Sequence, residues 1–277
     1  MLGALIIVFR EAIEAGLIVG IVLAVTRGVS GSRSFVTAGV GIGALGAVIV
    51  AAFADRLSRA FAGSGQELFN AAILALAVVM LVWHNIWMAQ HGRELAQNLS
   101  EVGRAVARGD ETLFALTAVV GLAVLREGAE VALFLYGILA SGESGWDVLA
   151  GGVGGLALGA ATSVGTFYGL VAIPAKRLFS VTTWLITLLA AGLAAQCVAF
   201  LQQAGFITVL SDTAWDTSWV LSDKSIVGRV LHTLIGYADQ PSDMQVAVYL
   251  ATLAAIIAAT KFFASRSPSA AVRAPAE

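Results

Sequence analysis

Long apolar stretches separated by short polar segments dominate the chain. A helix of about 20 predominantly apolar residues is long enough to cross the hydrocarbon core of a bilayer. By that criterion the pattern predicts seven transmembrane helices, at about residues 2–25, 35–54, 67–89, 112–140, 148–172, 181–204 and 244–264. We therefore expect an all-α integral membrane protein with a single transmembrane domain over residues 1–264.

Two segments outside the predicted spans differ in character. Residues 205–243 form a segment too long for a simple connection, and they carry Trp215, Trp219 and Tyr237, aromatic residues typical of a membrane surface. Residues 265–277 are rich in Ser, Pro and Ala, which predicts a disordered tail. We expect the first segment to be folded and the second to lack a fixed structure.

Composition supports the membrane assignment and argues against other classes of protein. The 277 residues are 58% hydrophobic and 12% charged, whereas about 25% of residues in a soluble domain are charged. A formal net charge of −2 and the absence of a basic patch give no indication of nucleic-acid binding. The lone cysteine, Cys197, excludes a disulfide within the chain.

The distribution of Lys and Arg predicts the orientation, because cytoplasmic connections carry more of them. Two sets of connections alternate along the chain: the first comprises residues 26–34, 90–111, 173–180 and 261–277, and the second 55–66, 141–147 and 205–243. Without the two arginines inside predicted spans, the first set holds ten basic residues and the second holds four. We expect the N-terminus outside and the C-terminus in the cytoplasm.

Charged residues also occur inside two apolar stretches, where they form the same motif twice. The pattern R-E-x-x-E begins at Arg10 in the first span and again at Arg126, 116 residues later, in the fourth. A charge inside a bilayer costs at least ~2.5 kcal/mol on insertion scales, so six of them need a reason. Residues three or four apart share a helix face, so the glutamates of each motif lie side by side and each Arg meets the second Glu. The glutamates are Glu11 and Glu14 in the first copy and Glu127 and Glu130 in the second.

Two interpretations of the motifs are open. The Arg–Glu pairs could serve only to hold helices together. That role requires neither a second carboxylate one turn away nor a repetition of the motif. Four glutamates and two arginines leave a formal charge of −2, which a hard cation with oxygen ligands would neutralise. We favour metal binding by the glutamates, with Arg10 and Arg126 as supporting ion pairs.

The similarity between the two halves of the chain extends beyond the motif. A glycine-rich stretch at residues 38–47 resembles one at residues 151–160. Spans 1–3 and 4–6 therefore look like two copies, and three spans per copy reverse the direction in which the second copy enters the membrane. This arrangement is an inverted repeat followed by a seventh helix, and in many transporters the substrate site lies between such halves.

Two R-E-x-x-E motifs in the first and fourth of seven spans resemble the iron permease family, which comprises the oxidase-coupled iron permeases of fungi and their bacterial relatives. The third span, at residues 66–70 and 83–88, and the outer segment, at residues 215–218 and 236–242, resemble the bacterial branch. The resemblance covers almost the whole chain. It implies inward transport of iron ions across a plasma or inner membrane, with the four motif glutamates on the iron path.

The resemblance has two further implications and one departure. It implies iron as a transported substrate, with no permanently bound cofactor. It also implies a separate extracytoplasmic oxidase or iron-binding protein as a partner, because this chain contains no such domain. Many relatives carry a glutamate in the third span where Asn70 stands, so we expect one charge fewer on the path here.

Other polar residues could line the same path, and each also has a simpler interpretation. Glu67 could bind the ion where it enters, or be an ordinary charge at a helix end. His84 and Asn85 lie deeper in the third span, where His84 could join the path or hydrogen-bond a carbonyl of a neighbouring helix. Asp216 and Asp239 in the outer segment could guide a cation inward or cap turns.

Other functions are compatible with parts of the pattern. The same carboxylates could transport Mn(II) or Pb(II), since selectivity depends on geometry as much as on affinity. A membrane oxidoreductase with a carboxylate-bound metal would usually require E-x-x-H pairs, which the chain does not contain. A small-molecule exporter or a scaffold would use the ion pairs without a metal. Metal-dependent transport would distinguish the leading hypothesis from these last two.

Overall fold

The computed structural model describes residues 1–60, 66–169, 175–223 and 225–266, where regular secondary structure is helical apart from one isolated bridge between Thr213 and Ser242. Eight helices follow one another in this part of the chain: α1 (Leu2–Val25), α2 (Ser32–Ala60), α3 (Gln66–Arg108), α4 (Leu113–Ala140), α5 (Gly145–Phe167), α6 (Ala175–Gln203), α7 (Ile226–Ile235) and α8 (Asp243–Arg266).

Most of these helices are long and apolar enough to cross a membrane. Among the described residues, five segments meet both criteria: Ser32–Ala54, Glu67–Met88, Gly145–Phe167, Ser180–Gln203 and Asp243–Phe262. Helices α1 and α4, with 24 and 28 residues, are also long enough, but each carries the three charges of its motif. The chain is therefore a multi-pass helical membrane protein, and the count of seven spans stays a prediction.

The third helix is much longer than the span predicted for it. The sequence pattern ends that span at residue 89, but α3 continues to Arg108 and has 43 residues. Leu95, Leu99 and Val106 recur at helical spacing in the extension, and they pack with residues of α1, α2 and α4 in one hydrophobic cluster. Residues 90–108 are thus part of the folded bundle, because this apolar stripe buries them against three other helices.

Several other boundaries differ from those predicted. Helix α2 extends to Ala60, six residues beyond the predicted end of its span. Helix α5 begins at Gly145 because the hydroxyl of Ser144 accepts a hydrogen bond from the backbone N–H of Asp147 and caps the helix. Residues 170–174, where the fifth span was predicted to end, and the tail from residue 267 onward lie outside the described residues.

The outer segment between α6 and α8 is folded by hydrogen bonds within itself. The hydroxyls of Thr217 and Tyr237 lie 2.6 Å apart, and the indole N–H of Trp215 donates to the carbonyl of Ala238 at 3.3 Å. The segment contains α7, which begins after the cap Ser225 and ends at Gly236, whose φ of 69° suits a residue without a Cβ.

Glycines allow two pairs of helices to approach closely. A Cβ at Gly43 of α2 would lie 2.6 Å from the carbonyl oxygen of Gly121 of α4. A Cβ at Gly155 of α5 would lie 2.5 Å from the carbonyl oxygen of Leu5 of α1. Both distances are too short for a side chain, so α2 packs on α4, and α1 on α5, through their backbones.

Helices α1, α3, α4 and α6 surround the centre of the molecule. Their best-buried apolar side chains, together with neighbours from α5 and α8, form a single hydrophobic cluster that includes Ile7, Leu74, Leu81, Phe134 and Ile186. The polar residues of the two motifs lie next to this core, on the inner faces of α1 and α4. The core therefore shields charged groups that could not face lipid without a large cost.

Candidate metal site between the two motifs

The motif of α1 is buried and holds its own counter-charge. The side chains of Arg10, Glu11 and Glu14 are no more than 3% exposed. Arg10 Nη2 lies 3.0 Å from Glu14 Oε1, the i,i+4 pair expected from the sequence. Arg10 Nη1 also donates to Glu11 Oε1 at 3.3 Å. The helical spacing pairs Arg10 with Glu14 alone, but the forked guanidinium spans both carboxylates.

The motif of α4 is more open and is neutralised in part. Arg126 Nε donates to Glu130 Oε1 at 3.1 Å, which is again the expected i,i+4 pair. The guanidinium carbon of Arg126 lies 4.0 Å from the centre of the Trp87 ring, and the Arg126 side chain is 35% exposed. Glu127 is buried, and neither of its carboxylate oxygens has a hydrogen bond within the described part of the chain. Glu127 is thus the freest carboxylate of the two motifs.

His84 of α3 lies between the two motifs. Its side chain is 2% exposed, and its Nε2 lies 3.6 Å from both Glu11 Oε2 and Glu14 Oε2. Its Nδ1 lies against Glu130 Oε2. The alternative in which His84 bonds a carbonyl of a neighbouring helix is not found among the described residues. The imidazole therefore faces carboxylates from both motif helices.

These side chains converge on one small volume. Glu11, His84, Glu127 and Glu130 each offer a nitrogen or oxygen atom, and the four atoms lie within 4.8 Å of one another. Several carboxylate oxygens of the site have no hydrogen bond within the described residues: Glu11 Oε2, Glu14 Oε2 and both oxygens of Glu127. Buried polar atoms normally have partners, so this concentration of oxygens without hydrogen bonds makes the cluster a candidate cation site.

The other candidates on the third span are distributed along α3. Asn85 is buried beside His84, and neither atom of its amide has a hydrogen bond within the described residues. Asn70 and Glu67 lie 14 and 17 residues before His84, or about 21 and 25 Å along the helix. They do not belong to the cluster, so the residue at position 70 does not change the charge of the cluster itself.

The acidic candidates of the outer segment form turns there. Asp216 accepts hydrogen bonds from the N–H and hydroxyl of Ser218, and a third from Gln240. The bonds from Ser218, followed by that from Gln240, lower the pKa of Asp216. Asp239 accepts a bond from the backbone N–H of Asp223 at 3.1 Å. These contacts match the turn-forming alternative for both residues.

Trp87 belongs to the site but was not among the residues predicted from the sequence. Trp87 follows His84 by three residues on α3 and places its ring beneath Arg126, so it positions the arginine of the second motif. The sequence shows Trp87 one turn after His84, in a span with other polar residues, which could have indicated a role at the site. It does not show that the partner of Trp87 lies on another helix.

Comparisons with known proteins agree on one family. The profile of the Iron permease FTR1 family matches residues 1–267. Ferrous iron permease EfeU from Escherichia coli O6:K15:H31 is 30% identical over 252 residues, which cover 88% of this chain and 89% of the relative. The protein of the same name from Yersinia pestis is 29% identical over 247 residues, covering 88% and 87%. A putative inactive ferrous iron permease EfeU from Escherichia coli K12 is 30% identical over 249 residues. No solved structure matches.

Proposed function

Because the chain belongs to the Iron permease FTR1 family, we propose that it carries iron ions inward across the cell membrane through a carboxylate site built from its two R-E-x-x-E motifs. The observation that supports this proposal most strongly is the convergence of Glu11, Glu127 and Glu130 beside His84. Relatives named as permeases agree with the expectation of a transporter and not an enzyme.

The charge balance of the site suits a transient cation. A buried carboxylate without a partner is costly, and a multiply charged ion between several carboxylates offsets that cost. Arg10 and Arg126 form ion pairs with Glu14 and Glu130, while Glu127 has no arginine partner among the described residues. The arginines thus reduce the negative charge of the site without occupying the position of the ion, so an ion can bind there and also leave.

The packing of the helices supports an inverted repeat of α1–α3 and α4–α6. Three contacts between α2 and α4 have counterparts between α5 and α1. Gly39–Thr117 corresponds to Gly151–Met1, Gly43–Gly121 to Gly155–Leu5, and Ala47–Gly128 to Gly159–Ala12. In every pair of contacts the α4 residue lies 116 positions after the equivalent α1 residue, and the α5 residue lies 112 positions after the equivalent α2 residue. Exchanging the copies thus maps one interface onto the other, as a two-fold axis through the site requires.

We propose an orientation with the N-terminus outside and the C-terminus in the cytoplasm, in the inner membrane. The excess of Lys and Arg in one set of connections is its basis. A contact between the N-terminal amine and Glu143 agrees with it, because the two groups lie 3.1 Å apart and both belong to the side with few basic residues. In this orientation α7 and the rest of the outer segment face the exterior.

The substrate and partners follow from the same proposal. Iron is a transported ion and no cofactor is permanently bound. An extracytoplasmic oxidase or iron-binding protein would deliver it to the outer face, where Glu67, Asn70, Asp216 and Asp239 are candidates for a secondary path. The relatives are named ferrous iron permeases, which favours Fe(II) at the site. Mn(II) and Pb(II) are the alternative cargoes, because carboxylates bind them too.

Radiolabelled-iron uptake tests the proposal. The chain would be expressed in a strain that lacks other iron importers, and Fe(II) and Fe(III) would be offered separately. We expect uptake by the wild type and its loss in Glu127→Gln, with Glu94→Gln, an exposed residue of α3, as the matched control. Uptake must be divided by the amount of inserted protein. Wild-type uptake in Glu127→Gln would place the iron path elsewhere.

A further inference from the structure

We propose that His84 is a direct ligand of the transported ion, so that three carboxylates and one imidazole select divalent first-row transition metals over Mg(II) and Ca(II). The proposal rests on the proposed function and specifies the ligands of the same site. His84 comes from α3, which carries neither motif, so the site combines side chains from three helices.

The surroundings of His84 differ from those of the other two histidines. His91 Nδ1 lies 3.2 Å from the carbonyl oxygen of Trp87, and the two rings are stacked. His232 Nδ1 lies 2.7 Å from the carbonyl oxygen of Tyr237. In both rings the Nδ1 atom therefore has a backbone partner. His84 has none among the described residues, although it is the most deeply buried of the three.

The donor atoms are close enough together for one ion to bind at this position. Donor atoms on a single ion with bonds of about 2.0–2.2 Å lie no more than about 4.4 Å apart. The four donor atoms of Glu11, His84, Glu127 and Glu130 already lie within 4.8 Å of one another. A contraction of a few tenths of an ångström, within the range of side-chain rotation, would bring all four within the separation that a single ion allows.

Glu14 is the one motif glutamate outside this ligand group. Arg10 lies 3.0 Å from Glu14, closer than its contact with Glu11 at 3.3 Å. The remaining set is mixed in chemistry. Imidazole suits iron, cobalt, nickel and zinc, whereas sites made only of oxygen suit magnesium, calcium and manganese. A single nitrogen among three carboxylates therefore favours transition metals while keeping enough oxygen for Fe(II).

Pulsed EPR of the full-length protein loaded with Mn(II) tests the assignment directly. Mn(II) is the probe because it is paramagnetic and binds carboxylates, and an imidazole ligand adds a ¹⁴N coupling to its spectrum. We expect this coupling in the wild type and in His91→Gln, and its loss in His84→Gln. Absence of the coupling in Mn(II)-loaded wild-type protein, or its persistence in His84→Gln, would overturn the proposal. The wild-type measurement decides the matter even if the variant does not insert.

Metal competition tests the selectivity. In proteoliposomes, Co(II) and Zn(II) should inhibit Fe(II) uptake by the wild type, while a large excess of Mg(II) or Ca(II) should not. His84→Gln should lose about tenfold or more in affinity for Co(II), with Ca(II) affinity unchanged. Equal losses for both metals would contradict the selectivity. If the ¹⁴N coupling is present but Glu127→Gln transports normally, the transport role fails and the ligand assignment stands. If the ¹⁴N coupling is absent but Glu127→Gln loses transport, only the assignment of His84 as a ligand fails.

Discussion

Glu127 of α4 and Glu11 of α1 hold the same position in the two motifs, but within the described residues only Glu11 has an arginine partner. Arg10 Nη1 donates to Glu11 Oε1 at 3.3 Å, whereas neither oxygen of Glu127 has a hydrogen bond within the described residues. Arg126, the counterpart of Arg10, binds Glu130 and lies over Trp87. The repeated motif is thus used asymmetrically, and its most available carboxylate comes from α4.

Glu127→Gln should separate function from stability. The amide is neutral, so the variant no longer buries an unpaired carboxylate. Burying a polar group without a hydrogen-bond partner costs about 1–3 kcal/mol. We expect iron uptake to fall by about tenfold or more while the metal-free protein unfolds at a higher temperature. Thermal unfolding in detergent and uptake per inserted molecule measure the two effects. A variant that is less stable than the wild type would show that Glu127 has a structural partner.

The two motif arginines should differ in structural importance. Arg10 is 3% exposed and contacts two carboxylates, so Arg10→Ala leaves buried charges uncompensated at a cost of about 3–5 kcal/mol. Arg126 is 35% exposed and contacts one carboxylate, so water can replace part of its role. We expect Arg10→Ala to be nearly absent from the membrane and Arg126→Ala to be present at a reduced level. Quantitative immunoblots of membranes would check the order, and equal levels would contradict it.

The sequence predicted the motif helices and the i,i+4 pairs, because these depend on periodicity within one helix. It could not predict that His84 faces both motifs, since that contact depends on the register of α3 against α1 and α4. The contact of Arg10 with Glu11 also escaped prediction, because a side-chain rotamer decides it. The extension of α3 to Arg108 was missed because its charged residues resemble a connection, although its apolar stripe is buried.

The glycine contacts should be equivalent in the two halves. Gly43→Ala and Gly155→Ala each place a Cβ within 2.6 Å of a backbone carbonyl oxygen on the facing helix. Each should destabilise the protein by about 1–3 kcal/mol, as overpacking does. Gly41→Ala is the control because nothing lies within 4 Å of its Cβ. Thermal unfolding would measure all three, and a harmless Gly155→Ala beside a damaging Gly43→Ala would weaken the case for a repeat.

Labelling of single cysteines should show the orientation. In a Cys197→Ser background, Trp219→Cys would report on the outer segment and Ser34→Cys on the first turn of α2, since both positions are exposed. A membrane-impermeant maleimide should label Trp219→Cys in intact cells and Ser34→Cys only after permeabilisation. Labelling of both from the same side would contradict the proposed topology.

The central claim is that one ion binds where the two motifs meet His84. Crystals of the full-length protein grown with Fe(II) under anaerobic conditions, with diffraction recorded at the iron absorption edge, test it most directly. We expect an anomalous peak within coordination distance of Glu11, Glu127, Glu130 and His84. An iron peak elsewhere in the membrane-spanning region, with these four side chains holding no ion, would contradict it.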